Sequence, residues 1–261
     1  MKVIYQAQGL DPVHQDDISL FLQSPTLICL SDPEGETQVW LSASHKTVFK
    51  VFDIRRRRQQ WRARRKIECA QYGKRYGWAE FENARRVQQL GIQAPAPIAY
   101  LERSNALLCS RQVVAYPFLR GHLTLQDLIA SSGSTGRDPL AILDLIEPTL
   151  FQLASQGIFH LDLNSRNIMV GTDESVQLID FEYMAWNRKK PGLLYAYYLG
   201  YLFQKWLHQH LDEERYKSWF EENFQRRKTV FDENECEIRH WFDTARTKEL
   251  SRAERHGFFV C

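Results

Sequence analysis

The chain has 261 residues, of which 44% are hydrophobic and 13% aromatic, and a formal net charge of +2. That length suits one large domain or two small lobes with an ample core, and the composition gives no ground for disorder. No stretch reaches the roughly 18 apolar residues of a membrane span, and the start, Met1-Lys2-Val3-Ile4-Tyr5-Gln6, lacks the apolar run of a signal peptide. The five cysteines (Cys29, Cys69, Cys109, Cys236 and Cys261) are scattered, odd in number and form no C-x-x-C pair. They argue against a disulfide frame or a zinc site and fit a reducing cytoplasm.

In chain order, residues 2–6 read as a short strand and residues 16–22 as a helix. An apolar run at 27–30 and a turn at Asp32-Pro33-Glu34-Gly35-Glu36 precede two strands of a hairpin, 38–41 and 47–52. In the second strand, Val48, Lys50 and Phe52 share one face, while Thr47, Phe49 and Val51 share the other. Lys50 is thus a lysine in an otherwise apolar strand. A basic segment follows. From Arg55 to Tyr76 there are ten Lys/Arg and one acid, Glu68, with Trp61, Tyr72 and Tyr76 interleaved. Such a run is ordinarily a solvated helix face; its one-sidedness here points to an anionic partner.

Residues 78–90 have helical spacing, with Trp78, Phe81, Ala84 and Val87 near one face and Gly91 as the stop. Pro95-Ala96-Pro97 forces an extended chain. Strands are expected at 98–101 and 106–109 around a turn at Ser104-Asn105, and again at 113–116. After the break at 117–121 the spacing predicts a short helix over 123–129 and a flexible loop at 131–136. Leu140, Leu143, Ile146, Leu150 and Leu153 then mark a helix ending at Gly157. A small hairpin over 168–179 turns at Gly171-Thr172-Asp173-Glu174-Ser175. An aromatic helix spans 193–211, its stripe of Tyr195, Tyr198, Leu199, Leu202 and Trp206 being core packing, and helices continue to the end. The class is α+β with two lobes, a strand-rich one over 1–116 and a mainly helical one over 117–261.

The chemistry concentrates in His160-Leu161-Asp162-Leu163-Asn164-Ser165-Arg166-Asn167 and in Ile179-Asp180-Phe181-Glu182. Phosphoryl transfer from ATP needs a cation on the phosphates, oxygen ligands for Mg²⁺, and a carboxylate to orient and deprotonate the attacking hydroxyl. Asp162 suits the last task, and Asn167 and Asp180 supply hard oxygen ligands. His160 in such a loop braces rather than reacts. Lys50 suits the phosphates, with Lys46 at the strand start as the alternative. Glu80 or Glu82 on the following helix is placed to hold that lysine.

The first motif resembles the H-x-D-L-x-x-x-N loop of the protein-kinase-like superfamily, and the second its D-F-G. Two motifs at the correct mutual distance carry far more weight than either alone. Ala79-Glu80-Phe81-Glu82-Asn83-Ala84-Arg85-Arg86, followed by Leu90-Gly91-Ile92 and Pro95, resembles the Glu-bearing helix of the atypical bacterial branch, and this alignment gives Glu80 the lysine-pairing role. Over residues 35 to 190 the chain most resembles the lipopolysaccharide kinase group of the InaA type, related to Kdo kinases and core heptose kinases. The resemblance implies a two-lobed protein-kinase-like fold, an antiparallel-sheet first lobe and a mainly helical second, with ATP between them near 116–119.

It further implies nucleotide contacts from Lys50, Glu80, Gly35, Tyr116 and Phe118, metal ligation by Asn167 and Asp180, and Asp162 as the catalytic base. The acceptor would be a sugar of the lipopolysaccharide core or a lipid-linked sugar, met at the cytoplasmic face of the inner membrane. Arg55, Arg56, Arg57, Arg58, Arg62 and Arg65 would face anions of that substrate or of the membrane surface. Nucleic acid suits clustered arginine and aromatics in principle, but no known nucleic-acid fold is present. The alternatives are another small-molecule or protein-serine kinase on this scaffold, or a non-catalytic binding module. Two departures stand out. There is no G-x-G-x-x-G loop, Gly35 being the only glycine between Gly9 and Gly73, and D-F-E replaces D-F-G, which removes glycine's backbone freedom. With no A-P-E following, a regulated protein kinase is disfavoured.

Overall fold

The computed structural model describes residues 1–23, 27–31, 34–66, 77–131, 137–186, 190–251, 253–255 and 257. The expectations that fall on Asp32-Pro33, on 67–76 with Tyr72 and Tyr76, on 132–136, and on Cys69 and Cys261 lie outside the described residues. The chain forms two compact units: Met1–Gln89 with Ala94–Arg120 and Phe181–Tyr183, and Leu90–Gln93 with Gly121–Asp180 and Met184–Cys261. Among the described residues no helix is long and apolar enough to cross a membrane.

The first unit runs β1 (Lys2–Gln6), α1 (Pro12–Gln23), β2 (Leu27–Cys29), β3 (Thr37–Ser42), β4 (Thr47–Asp53), α2 (Arg57–Arg64), α3 (Gly77–Gln89), β5 (Ala99–Ser104) and β6 (Cys109–Pro117). Its strands form one sheet in the order β1-β5-β6-β4-β3-β2, antiparallel at every pairing. The alternation in β4 decides which helix covers which face. Phe49 and Val51 join Ile18 and Phe21 of α1 in a buried cluster, with the Phe21 and Phe49 rings stacked at 4.3 Å. Lys50 lies on the opposite face, beside Val39 of β3 and Val114 of β6. There α3 packs so closely that a Cβ at Gly77 would come 2.7 Å from the Phe52 ring, and Phe81 stacks on Tyr100 at 5.3 Å.

Two expectations change in this unit. The sheet is covered by helices on both faces, because α1 is longer than its weak pattern suggested. Its buried Asp17 accepts from Ser44 Oγ (2.7 Å) and Thr47 Oγ1 (2.6 Å), tying the helix to the β3–β4 turn. The expected strand at 106–109 is mostly turn. Asn105 Oδ1 accepts from the amides of Leu107 and Leu108 (2.9 and 2.8 Å), and this Asx turn leaves Leu107 68% exposed.

The second unit contains β7 (His122–Thr124), α4 (Leu125–Ala130), α5 (Pro139–Ser155), β8 (Ile158–His160), β9 (Ile168–Gly171), β10 (Val176–Leu178), β11 (Met184–Trp186), α6 (Pro191–Lys205), α7 (Glu213–Arg227) and α8 (Glu235–Thr247). The helix expected over 123–129 begins only at Leu125. Thr124 caps it by accepting from the Asp127 amide, and residues 122–124 pair with β9 instead. The stripe helix α5 is capped by Asp138, whose side chain accepts from the Leu140 amide, with Pro139 in its first turn. Helix α6 is buried on every side from Gly192 to Phe203, so it forms the centre of the unit rather than an amphipathic cover. It ends at Lys205, and a short 3₁₀ turn over Leu207–Gln209 replaces the rest of the expected helix.

Candidate active site

In the first unit, strand β4 and helix α3 bring two charged groups together under cover. Lys50 Nζ stands 3.1 Å from Glu80 Oε2, and the two residues are 8% and 1% exposed. Tyr116 at the end of β6 donates its hydroxyl to Glu80 Oε1 at 2.9 Å. Each oxygen of this carboxylate is therefore engaged by a different strand, which fixes its orientation. Glu82 points outward and is exposed. One turn further along α3, Asn83 Nδ2 donates to the Phe181 carbonyl at 2.8 Å, holding the residue that follows Asp180 in sequence. Gly35 and Phe118 lie outside the Lys50–Glu80–Tyr116 trio. Gly35 sits in the turn before β3, its carbonyl accepting from Gln38 Nε2 (3.4 Å), and Phe118 donates its amide to the Lys46 carbonyl (2.7 Å).

The basic segment forms a largely exposed surface along α2. Arg55, Arg56, Arg57, Arg58 and Arg65 are exposed and Arg62 is half-buried. The Arg65 guanidinium lies 4.5 Å over the ring of Trp61, itself 38% exposed. Only Ala63 anchors this helix by full burial, in a cluster with Ile54 and Cys109. Burial pushes the Cys109 thiol up to about 11, which keeps it a packing group rather than a nucleophile.

In the second unit, the hairpin β9–β10 sets the remaining groups. Its register pairs Leu178 with Ile168, and one step further the Ile179 amide donates to the Asn167 carbonyl at 3.0 Å. The Ile179 carbonyl stands 3.1 Å from His160 Nε2. A single residue thus ties both ends of the 160–167 loop to the residue before Asp180, and His160 is a brace inside the fold. Asp180 itself adopts a positive φ of 68°. Aspartate tolerates that region better than most residues, but it still carries strain, which is commonest where a side chain must be aimed.

Within the loop, Asn167 Nδ2 donates to the Asp162 carbonyl at 2.8 Å and Asn164 Nδ2 to the same carbonyl at 3.0 Å. Asp162 and Asp180 are half-buried, whereas Asn167 is buried. The Asn167 hydrogen bond spends the amide nitrogen and leaves Oδ1 as a hard, neutral oxygen. Asp180 offers a carboxylate, so the two expected ligands are both oxygen donors. That pair fits Mg²⁺, which keeps water and phosphate oxygens in most of its shell and needs few protein ligands. Among the described residues no three His, Cys, Asp or Glu side chains converge on a metal position, so a softer, fully protein-ligated ion has no such site there.

Three further contacts had no local signal in the sequence. Tyr116 reaches Glu80 over 36 residues. Tyr198 accepts from the His160 amide at 2.9 Å and donates to the Ile158 carbonyl at 2.6 Å, pinning β8 to α6. Arg255 reaches Leu161 over 94 residues.

Comparison with known proteins adds to this geometry. A sequence model of the lipopolysaccharide kinase (Kdo/WaaP) family matches residues 26–190. Among solved structures, WaaP in complex with acyl carrier protein is similar at a TM-score of 0.60 and 15% identity, covering 93% of this chain and 97% of that one. A crystal structure of WbdD is similar at a TM-score of 0.50 and 18% identity, covering 87% of this chain and 47% of that one. The comparison with curated protein sequences gave no match. At these identities the structural likeness speaks for the fold, an α+β architecture of the protein-kinase-like kind.

Proposed function

This chain belongs to the lipopolysaccharide kinase (Kdo/WaaP) family, and we propose that it moves the terminal phosphoryl group of ATP to a sugar hydroxyl of the lipopolysaccharide inner core, on a Kdo or heptose residue. Membership makes it a kinase with a sugar-kinase role. The nucleotide, the metal and the particular acceptor are the reading argued below.

The observation that carries the reading is the loop from His160 to Asn167, closed on itself through the Asp162 carbonyl and tied to Ile179, the residue before Asp180. Such a loop presents a half-buried carboxylate in a fixed place, as a general base requires. The acceptor hydroxyl oxygen attacks the γ-phosphorus. The bond to the β–γ bridging oxygen breaks, ADP leaves with that electron pair, and the hydroxyl proton passes to Asp162. Lys50 holds phosphate oxygens, and Glu80, oriented by Tyr116, holds Lys50. Gly35, Tyr116 and Phe118 complete the nucleotide contacts. Asp180 and Asn167 Oδ1 would hold Mg²⁺, which when bound neutralises phosphate charge.

The exposed arginines of the segment from Arg55 to Arg65 meet the phosphates and carboxylates of the core or of a lipid-linked sugar, or anionic head groups of the inner membrane. The enzyme then works peripherally at the cytoplasmic face. Mass spectrometry of core oligosaccharide from cells with and without the protein tests the whole reading. Loss of one phosphate from the core without the protein supports it, and an unchanged core sinks it.

A further inference from the structure

We propose that Arg255 is a positioning residue for the catalytic loop, clamping from the C-terminal segment the peptide that precedes Asp162. The inference rests on the reading of Asp162 as the base. Arg255 is 6% exposed. Its Nη1 donates to the Leu161 carbonyl at 2.7 Å and to Tyr197 Oη at 3.3 Å. The guanidinium carbon lies 4.9 Å over the Tyr201 ring, and that ring stacks on Tyr197 at 5.4 Å. Tyr197 in turn meets Phe159 edge-on at 5.5 Å.

A buried guanidinium is costly to desolvate unless it is matched by negative charge. Arg227, a half-buried arginine of the same unit, shows what a purely structural solution looks like. Arg227 donates to both oxygens of the buried Glu147, at 3.1 and 2.8 Å. Arg255 has no such chelate. It spends Nη1 on a peptide carbonyl and a phenol, its Nε is buried without an acceptor among the described residues, and the carboxylates of Asp162 and Glu249 act on it through charge rather than through such a chelate.

The backbone of the loop explains what the clamp achieves. The His160 carbonyl accepts from the Leu163 amide, and the Asp162 carbonyl accepts from Asn164 and Asn167, all inside the loop. The carbonyl between them, that of Leu161, is held from outside by Arg255. Without it the peptide joining His160 to Asp162 loses its long-range tether, and the carboxylate loses the angular precision that proton transfer demands.

The test uses the full chain as wild type, Arg255→Lys and Arg255→Ala. Hydrogen exchange of peptides covering residues 158–168 should speed up about tenfold in Arg255→Ala and less in Arg255→Lys, with exchange in α5 and α7 unchanged. With Mg-ATP and rough lipopolysaccharide as acceptor, kcat should fall about tenfold in Arg255→Ala, a change of about 1.4 kcal/mol in barrier. The KM for ATP should stay within about twofold, and added guanidinium should restore part of kcat. Loop exchange unchanged in both variants overturns the proposal. So does a rise in KM with kcat intact, or a loss of protection spread evenly over the unit. If Arg255→Ala does not fold, Arg255→Lys decides by the same loop-specific exchange. Should wild type transfer nothing to rough lipopolysaccharide, the functional reading fails, and the exchange measurement still decides the clamp.

Discussion

The two carboxylates of this molecule that matter most are treated in opposite ways. Glu80 is nearly fully buried and has both oxygens occupied, by Lys50 and Tyr116; Asp162 is half-buried, and its carbonyl accepts from Asn164 and Asn167 of its own loop. Glu80 is therefore a fixed anchor, whereas the function proposed above gives the Asp162 carboxylate to the acceptor. Two outcomes follow at this scale. Asp162→Ala should lower transfer by at least about 10²-fold, the usual worth of a positioned base, while Mg-ATP affinity by titration calorimetry stays within a few-fold. Affinity lost together with transfer, in a folded protein, would contradict that division of roles. Tyr116→Phe removes one donor from a buried carboxylate, a change of about 1–3 kcal/mol. It should raise the KM for ATP several-fold by loosening Glu80 and through it Lys50. An unchanged KM would leave Tyr116 as packing only. The loop and the motif around Asp180 were legible because their residues are close in sequence and chemically distinctive. The partners that orient Glu80 and brace the loop, Tyr116 and Arg255, lie 36 and 94 residues from the groups they hold, and nothing in local spacing encodes a contact at that range.

At the scale of elements, sequence pattern worked where one face alone is buried and failed where burial is all round or a side chain overrides the period. Helix α3 shows the first case, with its regular stripe, N-terminal glycine and Gly91 at φ 75° just beyond its end. The run from 106 to 108 shows the second, since three apolar residues in a row look like strand until Asn105 folds them into a turn. Helix α6 is the extreme. Buried on all sides, it shows no polar face to mark its orientation, and its contact with α8 depends on what is missing rather than on what is present. A Cβ at Gly200 would lie 2.5 Å from the Phe242 carbonyl oxygen and 2.8 Å from Ala245 Cβ. The obstacle is backbone, which cannot rotate away. Gly200→Ala should therefore destabilise the protein by about 1–3 kcal/mol despite the better helix propensity of alanine, as read by urea denaturation of the full chain. Equal or greater stability would show that the two helices can separate without cost.

For the whole molecule, the nucleotide and metal this kinase uses can be read from stability without knowledge of the acceptor. A ligand that binds only the native state raises stability by RT ln(1 + [L]/Kd), about 2.7 kcal/mol at a hundredfold excess over Kd. For a chain of this size each kcal/mol moves the melting temperature by roughly 2–4 °C, so saturating Mg-ATP should raise it by about 5–10 °C. The dependence on metal separates the roles of the residues. If Asp180 and Asn167 hold Mg²⁺, chelator should remove most of the shift. Asp180→Asn should behave with metal as wild type does without it, because the neutral amide is the poorer ligand for a hard cation. If the Asp162 carboxylate serves the acceptor rather than the nucleotide, Asp162→Ala should keep the full shift. A shift indifferent to chelator would remove Asp180 and Asn167 from metal binding and leave Lys50 as the main phosphate contact. No shift under any condition would favour a binding module, with the arginines from Arg55 to Arg65 as its working surface.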